Sequence, residues 1–244
     1  MGEPSQYTSE ADMSVLSGLR SKGEAWVVGG WVRESLSGEP KTDMDIATTL
    51  LPEEVKQIFP LSLMFGADYG TVVVRLDGHE ESWEVTTLRS EGGYGDGRRP
   101  DNVSFGVDIN EDLSRRDFTI NAMAYDSDWN LVDPFGGMSD LDDGILRSVG
   151  DANERLAEDG LRGMRAYRFL ASQKVVSMDA ELRSAVIDKT EMLAKVSKER
   201  IGNELLRTLS SIEAKVALSL MQDDGVIEEI LPGLSFATNL EICS

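Results

Sequence analysis

The sequence of 244 residues is poor in the side chains that most often bind transition metals, since it has one cysteine and one histidine. Cys243 cannot form a disulfide within the chain, and two such residues are too few for a Cys- or His-based zinc site. With His79 as the only histidine, a Ser-His-Asp triad or any other histidine general base would have to use this one residue, so the 44 Asp and Glu residues are the more numerous candidates for a general base. Any bound metal is therefore expected to be a hard cation held by oxygen.

Long hydrophobic runs are also missing. No apolar segment approaches the roughly 20 residues that a membrane-spanning helix needs. The N-terminus contains Glu3, Glu10 and Asp12 and lacks the apolar region of a signal peptide. Hydrophobic content of 41% and charged content of 28% are typical of soluble globular proteins. We therefore expect a cytoplasmic protein without a membrane partner, and nothing in the composition indicates an oligomeric state.

Positive charge is scarce, because 24 Lys and Arg residues are outnumbered by 44 Asp and Glu residues, giving a formal net charge of −20. Nucleic-acid-binding proteins gain much of their affinity by neutralising phosphates. Such a function would therefore require positive charge that is concentrated locally. Solubility or a salty environment are alternative reasons for the acidity.

A glycine pair follows the first apolar run. Ala25–Val28 is predicted to be a buried strand and Trp31–Leu36 the start of a helix, with Gly29 and Gly30 between them. This arrangement is typical of anion sites, because free backbone N–H groups and the helix dipole point at the same place. A tight turn without a ligand is the alternative interpretation.

Three carboxylates are candidate metal ligands. Asp43 and Asp45 lie on a predicted strand, Asp43–Ala47, whose alternation would place both on one face. Neighbouring carboxylates repel each other unless a cation separates them, and Mg²⁺ is the natural candidate. Glu84 is expected on a strand beside them as the third carboxylate. Solvated aspartates near a loop and an exposed glutamate on an edge strand remain the alternatives.

Beyond these strands, the chain changes character twice. Arg89–Ser104 contains four glycines and a proline among many charges, which predicts a long functional loop. After Gly150 the pattern is helical, so we predict two domains, residues 1–150 and 151–244. The predicted helices are Ala152–Gln173, Asp179–Leu193, Lys198–Ser210 and Ile212–Asp223. In the first helix, spacings of three place Asp159, Arg162 and Arg165 on one face, although a surface salt bridge without function explains the spacing equally.

The order of these motifs resembles the class II tRNA nucleotidyltransferase and bacterial poly(A) polymerase family, from about residue 25 to about residue 234. The residues that carry the resemblance are Gly29-Gly30 with Val32-Arg33, Asp43-Met44-Asp45, Glu84–Arg89 with the loop after it, Arg115–Tyr125, Asp133–Gly137, Leu146–Gly150, Glu158–Arg162 with Arg165–Phe169, and Glu199-Arg200-Ile201 with Glu204-Leu205. The sequence departs from the family pattern at Glu34, where Asp is usual, at Gly160, where Pro is common, and at Gly163, where an apolar residue is usual.

The resemblance implies an α+β fold, with a polymerase-beta-like nucleotidyltransferase head of mixed sheet and helices and an all-helical neck, the body and tail being shortened or absent. Residues 1–150 would be the catalytic head, and residues 151–244 the nucleotide-reading neck and the start of the body.

The same resemblance implies a transferase that adds CCA to the tRNA 3′ acceptor end from CTP and ATP, by a two-metal mechanism with Mg²⁺. Asp43 and Asp45 would bind the metal ions, with Glu84 as the third catalytic carboxylate, and Asp159 and Arg162 would read the incoming base. The other residues implied to bind nucleotide are Gly29, Gly30, Arg33, Arg116, Asp117, Asn121, Arg165 and Arg168, and the flexible loop would contribute Arg89, Glu91, Asp96 and Arg98.

The loop is similar to that of members able to add the terminal A, which argues against an enzyme that adds only CC. Three alternatives stay open: an A-adding partner of a split CC/A-adding pair, a nucleotidyltransferase that acts on another acceptor, and a relative that only binds RNA or nucleotide.

Overall fold

The structure is a computed structural model of the chain. It describes residues 4–38, 40, 43–64, 69–92, 102–172 and 174–234. The chain divides into two compact units. Described residues up to Gly92, together with Asn102–Ser139, belong to the first unit, and those from Asp140 onward belong to the second.

The first unit is built on a mixed sheet. Its strands are β1 (Ala25–Val28), β2 (Asp45–Thr48), β3 (Thr71–Arg75), β4 (Ser82–Thr87), β5 (Arg89–Gly92), β6 (Asn102–Phe105), β7 (Ala124–Tyr125) and β8 (Leu131–Val132). Six of them form one sheet in the order β3-β4-β2-β1-β7-β8, in which β2 and β4 are parallel and the other neighbours antiparallel. Alternation along β4 buries Trp83 and Val85 and leaves Glu84 exposed on the other face.

The remaining two strands, β5 and β6, pair with each other as a separate antiparallel sheet. The prediction of a loop over Arg89–Ser104 is therefore wrong at both ends of that segment. Val103 and Phe105 favour a strand, a signal that the surrounding glycines and charges obscured.

Helices cover the sheet of the first unit. They are α1 (Glu10–Arg20), α2 (Gly30–Leu36), α3 (Pro52–Ile58), α4 (Ile109–Ser114) and α5 (Gly137–Asp143), the last of which continues into the second unit, with 3-10 turns at Pro4–Tyr7 and Thr119–Asn121. Helix α1 begins at a capping box, in which Ser9 and Asp12 exchange side-chain to backbone hydrogen bonds. The second carboxylate oxygen of Asp12 accepts a hydrogen bond from Trp83 Nε1 at 2.7 Å, so the cap also fixes the helix to β4.

The second unit is largely helical. It contains α6 (Ala152–Glu158), α7 (Leu161–Leu170), α8 (Ala180–Asp188), a 3-10 helix (Thr190–Lys195), α9 (Lys198–Leu209), α10 (Ala214–Asp223) and α11 (Val226–Ile230), with two short parallel strands, β9 (Ile145–Leu146) and β10 (Ser177–Met178). A mixed sheet with helices followed by a helical region confirms the predicted α+β class, although β9 and β10 make the second unit less than all-helical. Across the described ranges, no helix has both the length and the hydropathy to cross a bilayer.

Two of the four predicted helices end well before their expected bounds. The prediction of one helix over Ala152–Gln173 is wrong, because Asp159 is extended and ends α6. A Cβ on Gly160 would lie 2.7 Å from the carbonyl oxygen of Met192, so this close approach requires glycine. The helix predicted over Asp179–Leu193 instead ends at Asp188 and is followed by the 3-10 helix.

A buried carboxylate ties three helices of the second unit together. Asp224, which follows α10, accepts hydrogen bonds from Tyr167 Oη at 2.8 Å and from Arg183 Nη2 at 2.7 Å. Burial, together with this carboxylate, raises the pKa of the Tyr167 hydroxyl, which therefore stays a donor. The next residue, Gly225, has φ +77° and makes the turn between α10 and α11.

Candidate active site

The glycine turn between β1 and α2 brings the backbone close to the carboxylate of Asp45. Gly29 has φ +76°, a conformation that side chains disfavour, and a Cβ built on it would lie 2.9 Å from Asp45 Oδ2. Helix α2 then begins at Gly30. The predicted order of strand, glycine turn and helix is confirmed, and glycine is needed at position 29 for two separate reasons.

Asp45 and Glu84 are brought together by strand pairing. The parallel alignment of β2 with β4 places Ile46 beside Val85, so the preceding residues, Asp45 and Glu84, are neighbours on adjacent strands. Burial first, and then the negative charges of Glu84 and Asp43, raise the pKa of Asp45 from 3.8 to about 6, while the charge of Arg116 opposes the shift.

Asp43 lies outside the strand on which it was expected. The last pair of the β1–β2 ladder is Val28 with Asp45, because Gly29 turns the chain into α2 and leaves Asp43 without a ladder partner. Asp43 is accordingly exposed, whereas Met44 and Ile46 are buried.

The carboxylates fit a hard divalent cation by their chemistry, since they are oxygen donors and the raised pKa of Asp45 reflects burial first and the charges of Glu84 and Asp43 second, both of which a bound cation would offset. Among the residues that the structure describes, no three His, Cys, Asp or Glu side chains are already grouped as a metal site. The fit therefore rests on donor type and charge.

Arg116 supplies positive charge next to these carboxylates. Its side chain is 19% exposed, and it donates from Nη2 to Asp112 Oδ2 at 3.4 Å and from Nη1 to the carbonyl oxygen of Asn121 at 3.3 Å. Its Nε is buried and has no hydrogen-bond partner in the described part of the chain. Burial lowers the pKa of this guanidinium, and Asp112 opposes that shift. A buried N–H without an acceptor is costly, so Arg116 carries a donor suited to an anionic ligand.

Asn121 connects the predicted nucleotide-binding residues of the first unit. Its Oδ1 accepts a hydrogen bond from Arg33 Nη1, and its Nδ2 donates to Asp117 Oδ1 at 2.9 Å. Its carbonyl oxygen accepts the bond from Arg116. The 3-10 turn that contains Asn121 therefore joins Arg116 and Asp117, five and four residues earlier, to Arg33, which is 88 residues away in the chain.

A cavity of about 180 Å³ is lined by Asp45, Glu84 and Arg116, whereas the predicted site residues Asp43, Arg33, Asp117 and Asn121 are not among its lining residues. Its ionisable lining residues are Asp45, Glu84, Arg89, Asp112, Arg115 and Arg116, and the others are Val28, Ile46, Ala47, Thr71 and Thr86. Carboxylates and guanidinium groups therefore line one small cavity, an arrangement suited to a metal-bound phosphate group.

The predicted loop residues are only partly described. Arg89 is the first residue of β5 and donates its backbone N–H to Asp112 Oδ1 at 3.4 Å. The backbone of Glu91 lies in β5, and Asp96 and Arg98 lie outside the described residues.

In the second unit, the two predicted base-reading residues each have an ion-pair partner. Asp159 Oδ2 accepts from Arg200 Nη2 at 2.7 Å, and Arg162 Nη1 donates to Glu158 Oε2 at 2.6 Å. The prediction that Asp159 and Arg162 share one helix face is wrong, because Asp159 precedes α7 in extended backbone. Asp159 instead accepts the backbone N–H of Leu161 at 3.0 Å, which fixes its side chain at the start of α7.

The other two predicted arginines lie on α7. The guanidinium of Arg168 donates from Nε to the buried Glu204 at 2.6 Å and lies 4.4 Å from the centre of the Phe169 ring. The guanidinium of Arg165 is 5.9 Å from the centre of the same ring. These positive charges therefore form a group around Phe169.

Three contributors were not predicted as site residues. Arg200 and Glu204 are four apart on α9 and contact Asp159 and Arg168 respectively. Asp112 contacts Arg115 and Arg116. The signals in the sequence were the helical spacings of three and four residues, which become informative only once the partner residues are known.

Two family models match the chain. One, described as the poly A polymerase head domain, matches residues 25–147. The other, described as a probable RNA and SrmB-binding site of polymerase A, matches residues 176–237.

Similar proteins match over most of this chain. The CCA-adding enzymes of Lactobacillus johnsonii and Geobacillus thermodenitrificans are each 44% identical to it, over 224 and 212 residues, or 91% and 87% of this chain. These matches cover 55% and 52% of the relatives, so the chain spans about half the length of the curated relatives it matches. The crystal structure of the Bacillus stearothermophilus CCA-adding enzyme in complex with CTP is similar, with a TM-score of 0.83 and 37% identity, over 96% of this chain and 55% of that one.

Proposed function

Because the chain belongs to the poly(A) polymerase head-domain family, we propose that it is a template-independent nucleotidyltransferase that adds C and A residues to the tRNA 3′ acceptor end from CTP and ATP. The observation that carries the proposal is the small cavity in which Asp45 and Glu84 lie with Arg115 and Arg116. The similar proteins reported above are CCA-adding enzymes, and the crystal structure of one of them is of a complex with CTP. We further propose that the protein acts in the cytoplasm.

We assign catalysis to residues 1–150 and nucleotide reading to residues 151–244. Asp43 and Asp45, with Glu84 as the third carboxylate, would hold Mg²⁺. When bound, the metal would favour ionisation of the primer hydroxyl and neutralise charge on the phosphates. Without a cation, the raised pKa of Asp45 leaves this carboxylate fully ionised only at neutral or alkaline pH, so at lower pH Mg²⁺ would have to displace a proton.

Arg33 and Arg116 would bind the triphosphate. Asn121 fixes both arginines, so their positions are set before a ligand arrives. The turn at Gly29 and Gly30 would let the triphosphate approach the backbone, since neither residue carries a side chain. Asp117, held by Asn121, would lie near the ribose.

Asp159 and Arg162 would read the base. A carboxylate acceptor and a guanidinium donor are complementary to the Watson–Crick edges of cytosine and adenine and mismatched to those of guanine and uracil. Each unpaired buried group costs roughly 1–3 kcal/mol, so two mismatches would disfavour the wrong nucleotide by about 100-fold or more. Arg200 and Glu158 would hold the two reading side chains in place.

A net charge of −20 means that RNA must be bound by local positive charge. Arg165 and Arg168 on α7, with Arg89 and Arg98 of the loop segment, would supply it. Binding of the acceptor end should therefore weaken steeply as salt increases.

The test is primer extension with Mg²⁺ on three tRNA acceptors, which end in the discriminator base, in C, and in CC, with CTP and ATP supplied separately and together. The proposal requires CCA to be completed on all three acceptors. Addition of A alone, to the acceptor ending in CC, would make the protein an A-adding enzyme. If none of the three acceptors is extended, the proposal is contradicted.

A further inference from the structure

Asp112 is a buried carboxylate within the arginine-lined cavity. Its side chain is 2% exposed. Its Oδ1 accepts hydrogen bonds from Arg115 Nη2 at 2.7 Å, from Arg115 Nε at 3.1 Å and from the backbone N–H of Arg89 at 3.4 Å. Its Oδ2 accepts from Arg116 Nη2 at 3.4 Å. One carboxylate therefore contacts both arginines of the Arg115–Arg116 pair and the first residue of β5.

Building on the function proposed above, we propose that Asp112 is a positioning residue, which orients Arg115 and Arg116 toward the triphosphate and joins them to the start of β5. It does not itself bind the nucleotide, because its side chain is 2% exposed and its negative charge repels phosphate. Its effect on the ligand would pass through the guanidinium groups that it holds.

The local backbone explains why the arginines need such a partner. Helix α4 ends at Ser114, so Arg115 and Arg116 lie just beyond its last turn, where the helix no longer restrains the side chains. A free arginine side chain loses conformational entropy when it is immobilised. Bonds to Asp112, three and four residues earlier, restrict both side chains before the ligand binds.

The direction in which neutralising Asp112 changes the affinity for phosphate distinguishes a positioning role from a purely electrostatic one. Asp112 lines the same cavity as the arginines, so by Coulomb's law its negative charge opposes a bound phosphate. Neutralising it should therefore strengthen phosphate binding if charge is all that matters. A positioning role gives the opposite result, because the arginines lose their orientation.

The experiment compares Asp112→Asn with Asp224→Asn as a matched control. Asp224 is also 2% exposed and is paired with an arginine, but it belongs to the second unit and is not assigned to the site. The dissociation constant of inorganic tripolyphosphate is measured by calorimetry for each variant, alongside melting temperature and KM and kcat for CTP in primer extension.

We expect Asp112→Asn to weaken tripolyphosphate binding by about tenfold and to raise KM for CTP more than it lowers kcat. Asp224→Asn should lower the melting temperature without changing the affinity. Unchanged or tighter binding of tripolyphosphate by Asp112→Asn would overturn the proposal, as would wild-type protein that does not bind tripolyphosphate. If wild-type protein binds tripolyphosphate but extends no tRNA, only the proposed function is contradicted. The affinity of Asp112→Asn for tripolyphosphate then still decides the role of Asp112.

If Asp112→Asn does not fold, the wild-type protein itself provides the test. In nucleotide-free protein labelled with ¹⁵N-arginine, the Nε–H of Arg115 should exchange slowly with water because it donates to Asp112. The resonance is assigned by its loss in Arg115→Lys. Rapid exchange at that group would overturn the proposal.

Discussion

Arg200 holds the carboxylate of Asp159 with two hydrogen bonds, from Nη2 to Oδ2 at 2.7 Å and from Nη1 to Oδ1 at 3.4 Å. The two residues are 41 positions apart, and Arg200 lies in the first turn of α9. If Asp159 reads the base, its orientation depends on a helix that need not touch the nucleotide.

Arg200→Met should therefore reduce base discrimination. Without its partner, Asp159 can rotate and no longer presents a fixed acceptor to the base, so we expect the ratio of kcat/KM for CTP over UTP to fall about tenfold. Arg207→Met is the control, because Arg207 lies on the same helix and its side chain is 67% exposed. An unchanged ratio in Arg200→Met would show that Asp159 does not need this ion pair.

Gly29→Ala tests the close approach of the turn to Asp45. The variant combines a positive φ with a Cβ that would lie 2.9 Å from the carboxylate, so it should lose both stability and nucleotidyl transfer. Gly78→Ala is a matched control, since Gly78 has the same φ of +76° but no atom within 4 Å of its Cβ position. Backbone strain should cost Gly29→Ala about 1–3 kcal/mol, because its φ of +76° and ψ of −143° are adopted almost only by glycine, and Gly78→Ala about 1–2 kcal/mol, as measured by urea unfolding. If Gly78→Ala lost transfer activity to the same extent, displacement of Asp45 would not be the cause.

The raised pKa of Asp45 predicts a dependence of stability on pH in the absence of metal. The folded pKa of about 6 lies above the reference value of 3.8, so the contribution of Asp45 to stability is greatest below pH 4 and is lost as the pH rises through 6. In EDTA, Asp45→Asn should therefore melt at a higher temperature than wild type at pH 8, and the difference should shrink below pH 6.

Added Mg²⁺ should reverse that order at pH 8, because a cation that binds only the folded wild-type site raises its melting temperature. Asp45→Asn should respond much less. A wild-type protein that is more stable than Asp45→Asn in EDTA at pH 8 would contradict the charge distribution described for this site.

Gly160 and Gly163 should respond oppositely to alanine. A Cβ at Gly160 would meet the carbonyl oxygen of Met192 at 2.7 Å, whereas one at Gly163 would meet Val186 at 3.7 Å, an ordinary contact. Gly163 lies inside α7, where alanine is favoured over glycine by about 1 kcal/mol. We expect Gly163→Ala to raise the melting temperature and Gly160→Ala to lower it. A rise in both variants would mean that the 3-10 helix containing Met192 adjusts at little cost.

The features that local pattern determines were predictable from the sequence. The β1 strand, the glycine turn and α2 depend on a few consecutive residues, and their predicted bounds agree with the structure to within one residue. The position of Glu84 beside Asp45 was also expected, and it follows from the pairing of β2 with β4.

Features that depend on distant contacts were not predictable. The break between α6 and α7 lies where Gly160 contacts Met192. The hydrophobic periodicity of residues 152–173 does not predict this contact. The partners of Asp159 and Arg168 lie on α9, 41 and 36 residues away. Asp43 lies outside its predicted strand because the β1–β2 ladder ends at the Gly29 turn. The position of that turn depends on β1 rather than on β2.

The most direct test of the account measures transfer of one labelled CMP to tRNA with Mg²⁺ by wild-type protein, Asp45→Asn, Glu84→Gln and the exposed control Asp142→Asn. Wild type and the control should transfer at equal rates. Asp45→Asn should be slower by about 1,000-fold, or roughly 4 kcal/mol in the barrier, and Glu84→Gln should also be impaired. Transfer by Asp45→Asn at the wild-type rate would contradict the assignment of catalysis to this cavity.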